Sequence, residues 1–254
     1  MLDYSPLQLK NMRLQFNPRG KDLNYLILSD LRAFLQRFAT TDTLAILDYG
    51  AGNSPYASLF PNADYRRADY VDCVGINYKV DEDSKLPSVP DDSFDLVLST
   101  QVAEHLHNPS SYFREAFRVL KPGGRMVVTT HGVYEDHGVP FDFQRWTADG
   151  LRRDLALAGF SVKGMFKLTT SERFYLYLML RWFNDGNLRR PGLFNKFWRR
   201  GCWILAGILR RPFHFIADWL WSDCRVVESG HLWAHQLYIV VAAEAVKPLQ
   251  PPSH

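Results

Sequence analysis

Leu44-Ala-Ile-Leu-Asp48-Tyr-Gly50-Ala-Gly52-Asn-Ser54-Pro-Tyr56 is the stretch on which the fold of this chain turns. Four apolar residues in succession, Leu44 to Leu47, predict a strand buried on both faces, and Gly50-Ala-Gly52 ends it in a tight turn. Glycine there admits positive φ and lets a ligand lie against bare main chain. Two kinds of nucleotide cofactor use such a loop, and the residues around the glycines tell them apart. A dinucleotide fingerprint wants a third glycine three residues after the second, for close helix packing under a pyrophosphate. That position is Pro55, which has no N–H to donate. Asp48 stands just before the loop. A fixed carboxylate beside a pyrophosphate is repulsive by about 4 kcal/mol at a separation of roughly 4 Å and an effective dielectric near 20. Beside a cationic amine or sulfonium the same carboxylate attracts.

Working outward, residues 1–20 carry Pro6, Asn17-Pro18 and Gly20 and predict an irregular arm. From Asp22 to Phe38, Leu23, Leu26, Leu28, Leu31, Phe34, Leu35 and Phe38 recur at helical spacing, an amphipathic helix laid against the sheet; Tyr25 on it could reach a cofactor, but is expected to pack in the core. After the glycine loop a short helix should begin at Tyr56 to Phe60, and Tyr65 to Tyr70 reads as the second strand. Asp69 lies nineteen positions after Gly50, near where a nucleotide fold places the acid that takes the ribose hydroxyls. Phe94-Asp-Leu-Val-Leu-Ser-Thr100 reads as a further buried strand, followed by Gln101-Val-Ala-Glu104-His105-Leu-His107. Asn108 and Pro109 suit the N-cap and first position of a helix from Ser110 to Leu120. Lys121-Pro-Gly-Gly124 stops it, and Arg125 to Thr130 predicts the fifth strand.

Asp48-x-Gly50-x-Gly52, then Asp95-Leu-Val-Leu-Ser, Glu104-His-Leu and Arg118-Val-Leu-Lys-Pro-Gly-Gly124, in that order over residues 44–130, resemble the class I S-adenosylmethionine-dependent methyltransferases. Ser54 stands where that family has its third glycine. The run around the loop is similar to a type 11-like subgroup often associated with glycan or lipid-linked acceptors. The resemblance implies an α/β, Rossmann-like, seven-stranded mixed sheet with helices on both faces and the last strand antiparallel. It implies S-adenosyl-L-methionine as cofactor, held by Asp48, Gly50, Gly52, Asp69, Asp81 and Gln101, with Asp81 toward the adenine amino group and Glu82 and Asp83 as its rivals. Some related enzymes hold a divalent cation through Glu-x-x-Glu-His after the fourth strand. The first of those acids is Gln101 here, and losing one anionic ligand weakens a hard-cation site, so no required metal is expected.

The fifth strand leads into His131-Gly-Val-Tyr134-Glu-Asp-His137, then Asp142-Phe-Gln-Arg145-Trp146-Thr147. Ligands of open α/β sheets bind outside the carboxyl ends of the strands, so this loop should hang over the acceptor. Asp142 and Arg145 either contribute to that pocket or bridge to hold the loop, and the two roles are compatible. If the acceptor is a hydroxyl, a base must take its proton, and His105 and His131, each just beyond a strand, are favoured over His137. Thr147 should cap a helix through Ala158, closed by Gly159. Phe160 to Leu168 and His235 to Ala243 should form the last two strands.

Between those strands lies a helical insertion in which aromatic and apolar residues alternate with arginine and lysine. Trp182, Trp198, Trp203, Trp219 and Trp221 mix with Arg181, Arg189, Arg190, Lys196, Arg199, Arg200, Arg210 and Arg211. The expected organisation is residues 1–170 plus 233–246 as the methyltransferase domain, 171–232 as the insertion and 247–254 as a disordered tail. The insertion suits a membrane surface or a lipid-linked acceptor, and equally a packed subdomain or dimer contact. A net charge of +3 on 254 residues announces no nucleic-acid partner, and the apolar runs of the insertion are too continuous for a wetted groove. Three cysteines without Cys-x-x-Cys spacing, and no visible secretory signal, suggest a reduced, cytoplasmic setting, peripheral on a membrane if the insertion docks there. Small-molecule, glycan and lipid-linked acceptors stay open. The reading from another class is an inert cofactor-fold scaffold, against which the intact Asp48, Gly50, Gly52 and Asp69 speak.

Overall fold

Alternation along one strand organises the whole chain. β1 (Ala45–Tyr49) sends Leu47 and Tyr49 into one hydrophobic cluster and Ile46 into another, so it is covered on both faces. A computed structural model describes residues 5–71, 75–137, 141–185, 193–230 and 236–249; for Asp185 and residues 193–196 it describes the backbone alone. β1 pairs in parallel with β2 (Asp64–Asp69) and with β4 (Phe94–Thr100); the two-residue β3 (Tyr78–Lys79) flanks β2, and β5 (Leu120–His131) flanks β4. β8 (Tyr238–Val246) then inserts antiparallel between β5 and β6 (Ser161–Thr170). The order is β3-β2-β1-β4-β5-β8-β6-β7. Among the described residues the sheet therefore has eight strands and not the expected seven. The addition, β7 (Val226–Glu228), pairs Val226, Val227 and Glu228 with Leu168, Lys167 and Phe166. It closes the edge of β6, whose N–H and C=O groups would otherwise stand open.

One face of the sheet is covered by α3 (Pro109–Val119) and α4 (Ala148–Leu157), through Tyr112, Phe113, Ala116, Leu151 and Leu155. Both begin as the sequence predicts: Asn108 Oδ1 accepts from Ser111 N–H at 3.1 Å, and Thr147 Oγ1 accepts from Gly150 N–H at 3.0 Å. The other face is covered by α2 (Tyr25–Leu35) and by the insertion, which comprises α5 (Ser171–Asp185) and α6 (Leu193–Leu220). Arg173 fastens them. Fully buried, its guanidinium pairs with Asp30 of α2 and with Asp218 of α6 at 3.0 Å, and donates to Ala217 O at 2.9 Å. Burial alone would lower its pKa, but the charge and hydrogen bonds of Asp30 override that and raise it. Tyr25 adds its hydroxyl to Asp218 and stacks on His214 of α6, a tie to the insertion beyond plain core packing.

Three local expectations are corrected. The arm holds a helix, α1 (Pro6–Phe16): Ser5 and Gln8 form a reciprocal capping box, Pro6 takes the first position and Asn17 the C-cap, so the supposed breakers are its ends. None of its residues is buried. The helix after the glycine loop shrinks to a 3₁₀ turn, Ala57–Leu59, held between Pro55 and Pro61. The helix before β1 ends at Leu35 and continues as a 3₁₀ turn through Phe38. At the other end of the chain, Lys247 Nζ donates to Leu120 O at 2.7 Å and pairs with Asp92 at 2.6 Å. Cys73, Arg189, Arg190, His235 and residues 250–254 lie outside the described residues.

Candidate functional site

The glycine loop opens at the carboxyl end of β1. Gly50 takes φ +80°, and a Cβ there would meet Val102 Cγ2 at 2.4 Å, so the position is closed to any side chain. Gly52 takes φ +48° and is the opposite case, because nothing lies within 4 Å of a Cβ built on it. Its bare backbone faces free space. Ser54, standing for the third glycine, adopts φ +52°, the left-handed region that a non-glycine residue enters at a cost of about 1–2 kcal/mol. Arg67 of β2 holds this shape from below, its Nε donating to Ser54 Oγ at 2.8 Å and its Nη2 to Gly52 O at 2.5 Å. Sequence reasoning missed Arg67, since Arg66 and Arg67 are equivalent until the strand's facing is known.

Asp69 sits at the rim. Its Oδ2 accepts from Gly52 N–H at 2.7 Å and its Oδ1 from Val71 N–H at 2.9 Å, which fixes the carboxylate and leaves each oxygen a further lone pair. Asp48 is buried below the loop, where Tyr65 Oη donates to it at 2.7 Å. Burial pushes its carboxyl up to about 6, the largest of several influences. Asp81 follows β3, half-buried and with Oδ1 accepting from Lys85 N–H at 2.7 Å, whereas Glu82 and Asp83 are exposed. Gln101 takes φ +55°, and its Nε2 donates to Thr129 Oγ1 at 3.1 Å while its Oε1 is buried without a hydrogen bond among the described residues. An open glycine at the mouth, a rim carboxylate and a buried anion make a fit cradle for a nucleoside carrying a cationic side chain.

A second cluster lies beyond the ends of β4 and β5. Glu104 is completely buried; Thr130 Oγ1 donates to its Oε2 at 2.7 Å, and its Oε1 has no hydrogen bond among the described residues. Burial raises its pKa. His131 Nε2 stands 3.4 Å from Glu104 Oε1, and its ring stacks on Tyr134 at 4.1 Å between centroids. Burial, then the neighbouring His137 and Arg145, push His131 down to about 3, so it is neutral at physiological pH. His105 is at the outer side: its Nδ1 contacts Phe141 O, and its Nε2 lies 4.0 Å from Glu104 Oε1. His137, set aside on sequence, joins them, its ring centroid 4.8 Å from that of His131 and 5.0 Å from that of His105. Asp142 and Arg145 form the bridge that holds this loop, through two bonds of 2.5 and 2.6 Å. The guanidinium keeps Asp142 well below the usual carboxylate range.

The insertion turns an apolar surface outward. On α5, Tyr175, Leu178, Met179 and Trp182 are exposed; on α6, Phe197, Ile204, Ile208, Phe215 and Trp219 recur at intervals of seven and four residues and stand exposed with Trp198 and Trp203. Trp221 is half-buried against the core. Arg199, Arg200 and Arg211 accompany the exposed rings, whereas Arg210 is half-buried and bonded to Lys21 O and Asn184 Oδ1, each at 2.9 Å. No helix among the described residues is long and apolar enough to cross a membrane.

Comparison with known proteins bears on this architecture. A family described as "Methyltransferase domain" matches residues 23–163. The 2-methyl-6-phytyl-1,4-hydroquinone methyltransferase of Synechocystis is 37% identical over 62 residues, which are 24% of this chain and 20% of that protein. The chain thus aligns with about a fifth of that relative's length. Among solved structures, a SAM-dependent methyltransferase from Thermotoga maritima superposes with a TM-score of 0.52 at 15% identity, over 95% of both chains. The cyclase SpnF superposes with a TM-score of 0.50 at 18% identity, over 88% of this chain and 82% of its own. Identities this low speak for the fold alone.

Proposed function

The chain belongs to the methyltransferase-domain family, and from that premise we propose that it binds S-adenosyl-L-methionine and methylates an oxygen of a lipid-bearing acceptor at a membrane face. The observation that carries the cofactor is the loop itself: Gly52 is open to a ligand, and Asp69, bonded to its N–H, stands at the rim with lone pairs to spare. In this reading Asp69 accepts the ribose hydroxyls, Asp81 and Gln101 border the purine, and buried Asp48 attracts the cationic end. The cofactor supplies a methyl group already activated on a sulfonium. What the chain must do is hold the acceptor in line and take its proton, and alignment alone is worth several kcal/mol.

His105 is the base in this reading. An Nδ1–H donated to Phe141 O leaves the Nε2 lone pair free to accept, and the side chain is only partly buried. His131 is less suited to that task, since charging it in its buried site opposes a depression to about 3.

Two observations support a lipid acceptor. The exposed rings of α5 and α6 are interleaved with arginine, the pattern of a helix pair lying in a bilayer interface. The Synechocystis relative is named for a phytylated hydroquinone, an acceptor with a lipid tail. The test is transfer of labelled methyl from S-adenosylmethionine in the presence of anionic vesicles carrying extracted membrane lipids. Label extracted into organic solvent, together with vesicle binding that weakens with salt and in an Arg199→Glu, Arg200→Glu, Arg211→Glu variant, is the expected result. Label confined to water-soluble products overturns the lipid acceptor, and calorimetry showing no cofactor binding overturns the methyl transfer itself.

A further inference from the structure

Glu104 comes from the turn after β4, and His131 and His137 from the end of β5 and the loop that follows it, yet each brings a ligand-type atom into one group, all within 4.8 Å of one another. Packing accounts for the two imidazole rings, because those of His131, Tyr134 and His137 all touch one another. It does not account for their polar atoms. Glu104 Oε1, His131 Nδ1 and His137 Nδ1 are buried without a hydrogen bond among the described residues, and Glu104 is 0% exposed and His131 5%. A buried polar atom left unpaired costs about 1–3 kcal/mol, and Glu104 Oε1, 3.4 Å from His131 Nε2, is the one that stands inside the group and calls for a further partner.

We propose that this cluster binds a divalent transition-metal ion of the zinc class, with Glu104, His131 and His137 as its ligands. The donor set is right for that class, since imidazole and carboxylate together suit zinc and its neighbours better than magnesium or calcium. The spacing fits. Two atoms each about 2.1 Å from a tetrahedral ion stand about 3.4 Å apart, and Glu104 Oε1 and His131 Nε2 are 3.4 Å apart. The widest separation, 4.8 Å, closes with a movement of His137 of about 1.4 Å toward the other two. Supporting bonds are in place: Thr130 holds Glu104 Oε2 at 2.7 Å, and Asp142 Oδ2 lies 3.4 Å from His137 Nδ1 while accepting from His137 N–H at 3.0 Å. The charge is favourable. Arg145 is neutralised by its two-bond pair with Asp142, so the ion meets the net negative charge of Glu104. Gln101, whose replacement of an acid spoke against a cation, has no part in this set; its amide is spent on Thr129.

Three protein ligands leave a fourth position. His105 Nε2, 4.0 Å from Glu104 Oε1, borders it on the outer side. An acceptor oxygen entering there would meet a Lewis acid and a base together.

Ion binding is measured without any methyl donor, so it stands or falls apart from the assigned activity. The full chain, stripped by chelator and dialysed, is titrated with Co²⁺ and followed by its visible d–d absorption. The expected result is one Co²⁺ per chain in a four- or five-coordinate site, displaced by Zn²⁺, with Zn²⁺ raising the melting temperature. Glu104→Gln and His137→Ala should each weaken Co²⁺ binding by at least about tenfold. His107→Ala, which removes a nearby exposed histidine, should leave it unchanged. If Glu104→Gln does not fold, the half-buried His137 still decides. No stoichiometric binding at micromolar Co²⁺, or binding undiminished in His137→Ala, overturns the site.

Discussion

Gly50→Ala tests how tightly the loop is specified, because two separate penalties meet at one atom. The backbone at φ +80° is left-handed, which costs a residue with a Cβ about 1–2 kcal/mol. The new Cβ would also fall 2.4 and 2.7 Å from the two methyl carbons of Val102, inside any real contact distance, and overpacking of this kind costs about 1–3 kcal/mol. Together they predict a loss of roughly 2–5 kcal/mol in urea unfolding, with cofactor affinity reduced as the loop shifts. The two parts separate in a double-mutant cycle. Val102→Ala removes both clashing methyls, so it should restore about 1–3 kcal/mol to Gly50→Ala beyond additivity while the conformational part persists. A neutral Gly50→Ala, or a strictly additive cycle, refutes this account of the turn.

Asp48 titrates near 6, above the ordinary 3.8, so below about 6 it is protonated and loses its attraction for a cation. Affinity for S-adenosylmethionine should rise with pH through that value. Stability of the ligand-free chain should do the reverse, falling between pH 4 and 6, since a raised carboxyl pKa stabilises only the protonated form; calorimetry and denaturant melts across that range check both. Arg173→Met leaves Asp30 buried and unpaired and should cost about 3–5 kcal/mol in urea unfolding, of which Asp30→Asn in the same chain recovers a part. His105→Gln should slow single-turnover methylation roughly 10²–10⁴-fold with cofactor affinity nearly unchanged; an undiminished rate removes His105 as the base.

What was legible in the sequence was local chemistry. The strand before the glycines, the Asn108 and Thr147 caps and the helix end at Gly159 rest on residues within four positions of one another, and all stand as read. Local chemistry also misled where one residue serves two purposes: Pro6 and Asn17 break a helix in its interior and bound it at its ends, and only the Ser5–Gln8 pair marks which. The remainder is long-range. β7 exists because an edge three residues long needed covering, and Arg173 meets Asp30 across 143 positions. His137 gains its place beside Glu104 from the Asp142–Arg145 bridge; nothing within its own sequence neighbourhood distinguishes it from a surface histidine.

The outward face of the insertion and the histidine cluster are two sides of one helix. Along α5, Tyr175, Leu178, Met179 and Trp182 point to solvent, while Phe174, Tyr177 and Leu180 are buried. Tyr177 Oη lies 3.4 Å from Tyr134 Oη, and Tyr134 stacks on His131 with the rings 4° from parallel. Four residues further along the helix, Arg181 pairs with Glu135, whose carbonyl accepts from Arg145 at 3.0 Å. Arg145 in turn grips Asp142 beside His137. A helix that settles on a surface through one side therefore bears through the other on the stacked ring and the ion pair that position His131 and His137. Arg173 ties the base of the same helix to Asp30 and Asp218, which opposes its sliding over the sheet. On the proposed docking of its outer rings, a load would then reach the loop after β5 through these contacts. A vesicle surface should therefore alter turnover even of a water-soluble acceptor; a rate indifferent to vesicles that bind the protein refutes the link.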